Sequence, residues 1–369
     1  PFLSMGPKVE EFEAAFARLV GVRHAVAVTN GTCGLHLAVR ALGIRPGCEV
    51  ITTPFSFVAT ANVVLFEHAT PAFVDIDPQT LNITPEGVEA AIAREYWREG
   101  GGLVRRTTGA PLVGILPVSV FGHPVDMDGL LAVARAHGLW IVHDTCEALG
   151  SAYYSRVRGG WVNEAVLADA AVFAFYPNKQ ITTGEGGMVV TDDDQIATYC
   201  RMARNQGRRP GAEWLEHEIM GFNYRMDELS AALGLAQLRR LPELLARRAQ
   251  VARWYDQALA GLDGVERPRS ASWARVAWFV YVVRLRPGVD RDAVIRHLAQ
   301  RGVSAKPYFP AIHLQPYFRA RGFCAGQFPV AEDVAGRTLA LPYYNALSEA
   351  EVHQVVEALR EAIGAHARV

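Results

Sequence analysis

The chain has 369 residues, of which 37 are Lys or Arg and 38 are Asp or Glu, for a net charge of −1, and half are hydrophobic. That length at ordinary globular composition excludes a minimal binding module and a disordered chain, and it predicts two or three domains around a sizeable core. The near-neutral balance gives no general attraction for nucleic acid or an anionic membrane, and no apolar run approaches the ~18 residues of a membrane helix.

Five scattered cysteines, Cys33, Cys48, Cys146, Cys200 and Cys324, fit reduced thiols and a cytoplasmic location better than a disulfide framework. The chain opens on Pro1 and runs at once into a helical pattern over 9–19, so a native N-terminal segment is expected to be missing. From 24 to 200, short β-branched runs alternate with amphipathic stretches, which predicts an α/β domain with a doubly wound, mostly parallel sheet. Strands are expected at 25–28, 49–52, 71–75, 112–118, 139–143 and 170–175. Helices are expected at 32–42 and 128–137, the second with Asp128 as its N-cap. The Gly- and Arg-rich stretch 94–108 reads as a surface excursion.

Apolar spacing over 227–259 predicts a long connecting helix, with Pro242 as a kink or first-turn residue. A strand over 278–285, a helix over 291–300 and a last helix over 348–362 complete a smaller α+β domain. The expected division is 1–240 for the large domain and 241–369 for the small one. The arginine pairs Arg208-Arg209, Arg239-Arg240 and Arg247-Arg248 read as solvated faces, although the first pair could reach a diphosphate.

Three local patterns carry chemistry. Asn30-Gly31-Thr32 follows a strand and opens a helix, where free N–H groups and the positive helix end suit a phosphate, or where the residues are simply an N-cap. Asp144 ends an apolar strand, where ligands gather in α/β sheets, and could face a protonated ring nitrogen with Glu147 reaching the same ligand. A buried ion pair or a helix cap is the plainer alternative. Lys179 follows the aromatic strand end Phe175-Tyr176 and precedes the Gly-rich turn Gly184-Glu185-Gly186-Gly187, which makes it either a solvated lysine or a Schiff-base amine. Together the three describe a pyridoxal 5'-phosphate site.

At these motifs the chain resembles the fold-type I pyridoxal-phosphate enzymes, and specifically the DegT/DnrJ/EryC1/StrS family of sugar aminotransferases, from Gly6-Pro7 to the last helix. The resemblance implies that Gly31, Thr32 and the N–H of Cys33 hold the cofactor phosphate. It implies that Phe57, in Pro54-Phe55-Ser56-Phe57-Val58-Ala59-Thr60, stacks on the ring, and that Asp144 and Glu147 meet the pyridine nitrogen and the phenolic oxygen. It makes Lys179 the Schiff-base lysine. Asn223 and Arg225, in Gly221-Phe222-Asn223-Tyr224-Arg225, would complete the phosphate site of a second subunit, which implies a homodimer with composite sites. His313 and Tyr317, in Pro310-Ala311-Ile312-His313-Leu314-Gln315-Pro316-Tyr317, would contact substrate.

Three positions depart from the family pattern. Ala174 stands where a phosphate-contacting serine is common, Ser119 where a histidine is usual, and the segment before Gly6-Pro7 is largely absent. The implied activity is ping-pong transfer of an amino group from L-glutamate to a C4 or C3 keto group of a nucleotide-linked deoxysugar. Amination of a cyclitol or cyclic keto acid remains an alternative, as does a non-catalytic sensor of cofactor or sugar. The related sugar 3-dehydratases carry histidine where Lys179 stands. A zinc site built from Cys33/His36 and His143/Cys146 has metal-like spacing. The first pair falls on a predicted helix and the second straddles Asp144, so no metal is expected.

Overall fold

The computed structural model describes residues 3–209, 211, 213 and 215–366, so Pro1 and Phe2 of the opening segment lie outside the described residues. Eleven strands precede the long helix: β1 (His24–Val28), β2 (Glu49–Thr52), β3 (Thr70–Phe73), β4 (Tyr96–Glu99), β5 (Gly102–Arg105), β6 (Pro111–Leu116), β7 (Trp140–Asp144), β8 (Ala152–Ser155), β9 (Gly160–Val162), β10 (Ala170–Ala174) and β11 (Gly187–Thr191). The main sheet has the order β1-β11-β10-β7-β6-β2-β3, with the hairpin β4-β5 attached to β6. Its middle, from β3 through β2, β6 and β7 to β10, is parallel as expected. Its flanks are antiparallel, because β11 reverses between β10 and β1 and the hairpin runs back along β6.

Alternation along the strands feeds two helical layers. Val26 and Val28 pack with Leu35 and Val39 of the helix Gly31–Ala41 on one face. Ala25 and Ala27 turn to the other face, against Phe12 and Phe16 of the helix Pro7–Val20. A period of two on a sheet covered on both sides requires apolar residues at every position, which is why these strands read as continuous hydrophobic runs.

One expectation gains detail and one needs correction. Residues 94–108 lie mostly on the surface, as expected, but as the ordered hairpin β4-β5: Tyr96 is buried and its hydroxyl bonds Glu49, which also pairs with Arg105. A buried carboxylate requires such partners, and the partner of this hairpin lies almost fifty residues upstream. The helix expected from Asp128 is Met127–His137, and its N-cap is Asp126, whose carboxylate accepts from Gly129 N at 3.2 Å. Asp128 instead accepts from Arg156 N and Ser155 Oγ.

The helix Glu228–Ala258 opens on Asp227, whose carboxylate accepts from Ser230 N, and it carries Pro242 well beyond its first turn. Its first half packs through Leu241 into the core of the main sheet, and its second half packs through Val251 and Tyr255 into another core. That second core covers the small antiparallel sheet of β12 (Val265–Glu266), β14 (Tyr281–Leu285) and β15 (Thr338–Leu341). The helices Arg291–Gln300 and Glu349–His366 supply Val294, Leu298, Leu359 and Ile363 to it. The expected division at 240/241 falls inside the long helix. The two-residue strand β13 (Ala274–Arg275) joins β8 and β9 in a third sheet that the sequence does not announce.

Candidate active site

The parallel strands β2, β7 and β10, and β1 alongside them, all end on one edge of the main sheet, where loops can present side chains to a common crevice. The crevice is a cavity of about 460 Å³ whose walls include Gly31, Thr32, Phe57, Asp144, Glu147 and Lys179. The sequence places these six residues in four separate segments, and the fold brings them together.

At the helix start, Asn30 caps the helix Gly31–Ala41 by accepting from Cys33 N at 2.9 Å. The Cys33 N–H is thereby taken, and Cys33 does not line the cavity, which leaves Gly31 and Thr32 as the helix-start residues at its wall. Gly31 is required there by space: a Cβ would stand 2.9 Å from both Ala174 Cβ and Cys146 Sγ. Ala174 itself lines the cavity. It presents a methyl group to the cavity and offers no hydroxyl there.

Asp144 is buried, with Thr60 Oγ1 donating to Oδ2 at 2.7 Å and Cys146 N donating to Oδ1 at 3.1 Å. These donors fix the carboxylate plane. Glu147 is also buried and accepts from Phe121 N at 2.9 Å through Oε2, while Oε1 faces Lys179 Nζ at 3.4 Å. Burial pushes its carboxyl up from the usual range, and the Lys179 ammonium and the Phe121 N–H oppose that shift. Lys179 Nζ also lies 3.9 Å from the centre of the Phe279 ring, a cation–π contact that seats the amine inside the cavity. The hydroxyl of Tyr308, another wall residue, is raised by burial and by the nearby Glu147 charge.

Phe57 is 60% exposed and lines both this cavity and an adjoining groove of about 770 Å³, which also includes Tyr317, Tyr308 and Phe66. Tyr317 is therefore a groove residue, and Arg321 stacks on its ring at 3.7 Å. His313 lines neither space. It is fully buried, with Nε2 bonded to Glu332 at 3.0 Å and its ring against Phe328. Asn223 and Arg225 also stand outside the cavity: Asn223 bridges to Asn205, and Arg225 lies beside Val28 and donates to Asn205 Oδ1 at 3.2 Å. Ser119 is buried behind Asp144, with Oγ 2.8 Å from His143 Nε2 and 2.6 Å from Glu164 Oε1. Of the zinc-like pairs, His36 is held by Glu67 and the Tyr224 hydroxyl. Among the described residues no group of three His, Cys, Asp or Glu side chains is placed for a metal.

Sequence reasoning missed Thr60, Phe279, Tyr308 and Arg248. Arg248, expected on a solvated face, is buried. Its position between Leu241 and Val251, Ala252 and Tyr255 on the buried stripe of the long helix was the available signal.

A model of the DegT/DnrJ/EryC1/StrS aminotransferase family matches residues 1–360. The chain is 40% identical over 363 residues to the GDP-perosamine synthase of Caulobacter vibrioides, covering 98% of this chain and 91% of that one. It is 38% identical to the spore coat polysaccharide biosynthesis protein SpsC of Bacillus subtilis, again over 98% and 91% of the two chains. Among solved structures, DesV from S. venezuelae superposes with a TM-score of 0.85 at 35% identity, over 97% of this chain and 90% of that one.

Proposed function

Because the chain belongs to the DegT/DnrJ/EryC1/StrS family and is a pyridoxal-phosphate-dependent aminotransferase of fold type I, we propose that it aminates a nucleotide-linked keto-deoxysugar at C4 or C3. L-Glutamate is the donor, and the two half-reactions alternate on one site. The observation that carries this reading is the cavity in which Lys179, Asp144 and Glu147 converge beside an anion-binding helix start, opening into an aromatic groove wide enough for a large acceptor. The names of the relatives, a GDP-perosamine synthase and a spore coat polysaccharide protein, support a sugar acceptor.

The residues present fit the cofactor. Gly31 and Thr32 would hold its phosphate, Asp144 its ring nitrogen, Glu147 its phenolic oxygen and Phe57 its ring face, while Lys179 supplies the amine that attaches it. When bound, the cofactor supplies an electron sink for the charge left when a carbon loses its proton. Lys179 Nζ, once free, would take the proton from the donor's α-carbon and deliver it to the cofactor side within the same half-reaction, and would carry a proton the other way in the acceptor half-reaction. Asp144, fixed by Thr60 and Cys146 N, holds a proton on the ring nitrogen. Glu147, oriented by Phe121 N, keeps the amine of Lys179 directed into the cavity. Asn223 and Arg225 serve the site of a second copy in a homodimer, and the enzyme works in the cytoplasm.

The test is an absorbance spectrum of the protein loaded with pyridoxal phosphate, before and after L-glutamate, with Lys179→Ala in parallel. Wild type should show the visible band of covalently held cofactor and lose it on adding glutamate, and the variant should never form it. A band indifferent to glutamate would remove the donor half of the proposal. Keto-sugar, cyclitol and cyclic keto-acid acceptors are then separated by which of them restores the band.

A further inference from the structure

The buried Arg248 has no carboxylate within ion-pair distance among the described residues, and no ligand role in the cavity. Its guanidinium donates to three carbonyls: Nη2 to Lys179 O at 3.1 Å, and Nη1 to Phe279 O at 3.0 Å and to Trp278 O at 3.3 Å. Nε is buried with no hydrogen-bond partner among the described residues. The ring of Tyr343 lies 5.6 Å from the guanidinium carbon, and the Tyr343 hydroxyl donates to Arg248 O. Burying a guanidinium without a carboxylate is expensive, and the cost is visible in the direction of its shift, since burial pulls Arg248 below the ordinary arginine range. Methionine or leucine would fill this place on the helix stripe without that penalty.

What the guanidinium joins accounts for its presence. Lys179 sits in the irregular segment between β10 and β11, where its own N–H donates to Tyr176 O within the turn. The Phe279 ring beneath Nζ belongs to a different part of the chain, just before β14. Arg248 binds the main chain of the lysine and the main chain of its aromatic seat at once. A second bridge lies beside it: Gln180 Nε2 donates to Glu147 O at 2.6 Å and to Ala277 O at 2.7 Å. The main chains that carry the lysine, the carboxylate facing it and the ring below it are thus tied by two side chains.

We propose that Arg248 is a positioning residue for Lys179, holding the lysine's main chain and the Phe279 platform in register so that Nζ stays between the ring face and Glu147. The inference rests on the reading that Lys179 attaches the cofactor. A reacting amine displaced by about 1 Å can lose about a hundredfold in rate, so loss of the three carbonyl bonds should be felt at Nζ although Arg248 never meets substrate.

The experiment follows the rate at which cofactor-free protein captures pyridoxal phosphate at saturating concentration, the circular dichroism of the resulting band, kcat and KM for glutamate, and thermal unfolding. Arg248→Met should slow capture and lower kcat by about tenfold to a hundredfold and weaken the dichroic band. Its KM for glutamate should stay within about twofold. Arg248→Lys, with one ammonium for three carbonyls, should fall between Met and wild type. Phe279→Leu, which removes the seat and leaves Arg248 in place, should slow capture while unfolding near the wild-type temperature. A folded Arg248→Met protein with wild-type capture and dichroism would overturn the proposal. If Arg248→Met does not fold, Phe279→Leu decides, and capture at the wild-type rate there overturns it equally. Lys179→Ala separates the two levels: absence of the band supports the premise, and a wild-type band in that variant would overturn the role of Lys179 whatever the Arg248 variants show.

Discussion

At the scale of single residues, the site depends on what is small or neutral as much as on what is charged. Gly31 tolerates no Cβ, since the two atoms it would meet, Ala174 Cβ and Cys146 Sγ, belong to side chains too short to swing away. Gly31→Ala should therefore shift the helix start by a few tenths of an ångström. Overpacking of this kind costs about 1–3 kcal/mol, so cofactor affinity should fall about tenfold or more, as measured by titrating the visible band. One shell behind Asp144, the trio Ser119, His143 and Glu164 is entirely buried. Burial pushes the Glu164 carboxyl up to about 7, opposed by Ser119 and the Val125 N–H, and pulls His143 down to about 3. Ser119 Oγ donates to Glu164 Oε1, and a neutral His143 ring with its proton on Nε2 donates to Ser119 Oγ, so one chain runs from the ring through the hydroxyl to the carboxyl. A carboxyl whose folded value is raised contributes stability that is fully present below its unfolded value near 4.5 and lost as pH rises through about 7. Glu164→Gln keeps a neutral side chain of the same reach with an oxygen acceptor, and it cannot ionise. Urea unfolding from pH 5 to 8 should show the variant gaining on wild type by up to about 1.4 kcal/mol per pH unit inside that window. Parallel curves for the two proteins would show that Glu164 does not titrate there.

At the scale of elements, two helices are capped by carboxylates from far along the chain. The helix Pro7–Val20 has Gly6 at its N-cap and no capping side chain of its own. Glu228 supplies the cap, accepting from Gly6 N, Lys8 N and Val9 N at 2.9 to 3.0 Å. Asp75 does the same for the helix Pro329–Arg337, accepting from Val330 N and Ala331 N. Glu228→Ala orphans three donors at once and should lower stability by about 1–3 kcal/mol. The denaturant midpoint should fall while the cofactor band of the folded protein stays in place, because the helix it caps packs on the face of the sheet away from the cavity. These caps also mark what sequence can and cannot carry. Strand β2, and strand β10 to within one residue, were legible because continuous apolar runs have one meaning between two helical layers. That Gly31, Asp144 and Lys179 share one crevice was legible because each lies at a strand end or within a few residues beyond it. Thr60 on Asp144, Glu49 on Tyr96 and Arg105, and Phe279 under Lys179 were not, since each pairing joins residues dozens of positions apart. The Asp126 cap was misplaced by two residues because Asp128 offers the same chemistry two positions along. His313 was expected at the substrate from the motif around it, and its bond to Glu332, nineteen residues away on another helix, was not legible there.

At the scale of the whole molecule, the single chain leaves its site open. Phe57, the expected cover of the cofactor ring, is 60% exposed, and Phe66, Met220, Leu229 and Leu233 also meet solvent. Asn223 and Arg225 sit beside β1, outside the cavity of their own chain. A twofold dimer resolves both facts, since an isologous interface would cover apolar surface and carry each chain's Arg225 to the other's phosphate. The decisive experiment mixes two inactive proteins. Lys179→Ala keeps Arg225 and lacks the amine, whereas Arg225→Ala keeps the amine and lacks the second anion contact. If sites are composite, unfolding and reassorting an equal mixture gives heterodimers in which one site is intact and the other lacks both groups. Half of randomly reassorted dimers are of this kind, so activity should return to about one quarter of wild type. If every site were built within one chain, each site in the mixture would still lack one group, and activity would stay at the sum of the two variants. Light scattering on the same samples fixes the mass of the assembly, so a mixture that is dimeric yet inactive would retain the dimer and remove Arg225 from the partner's site.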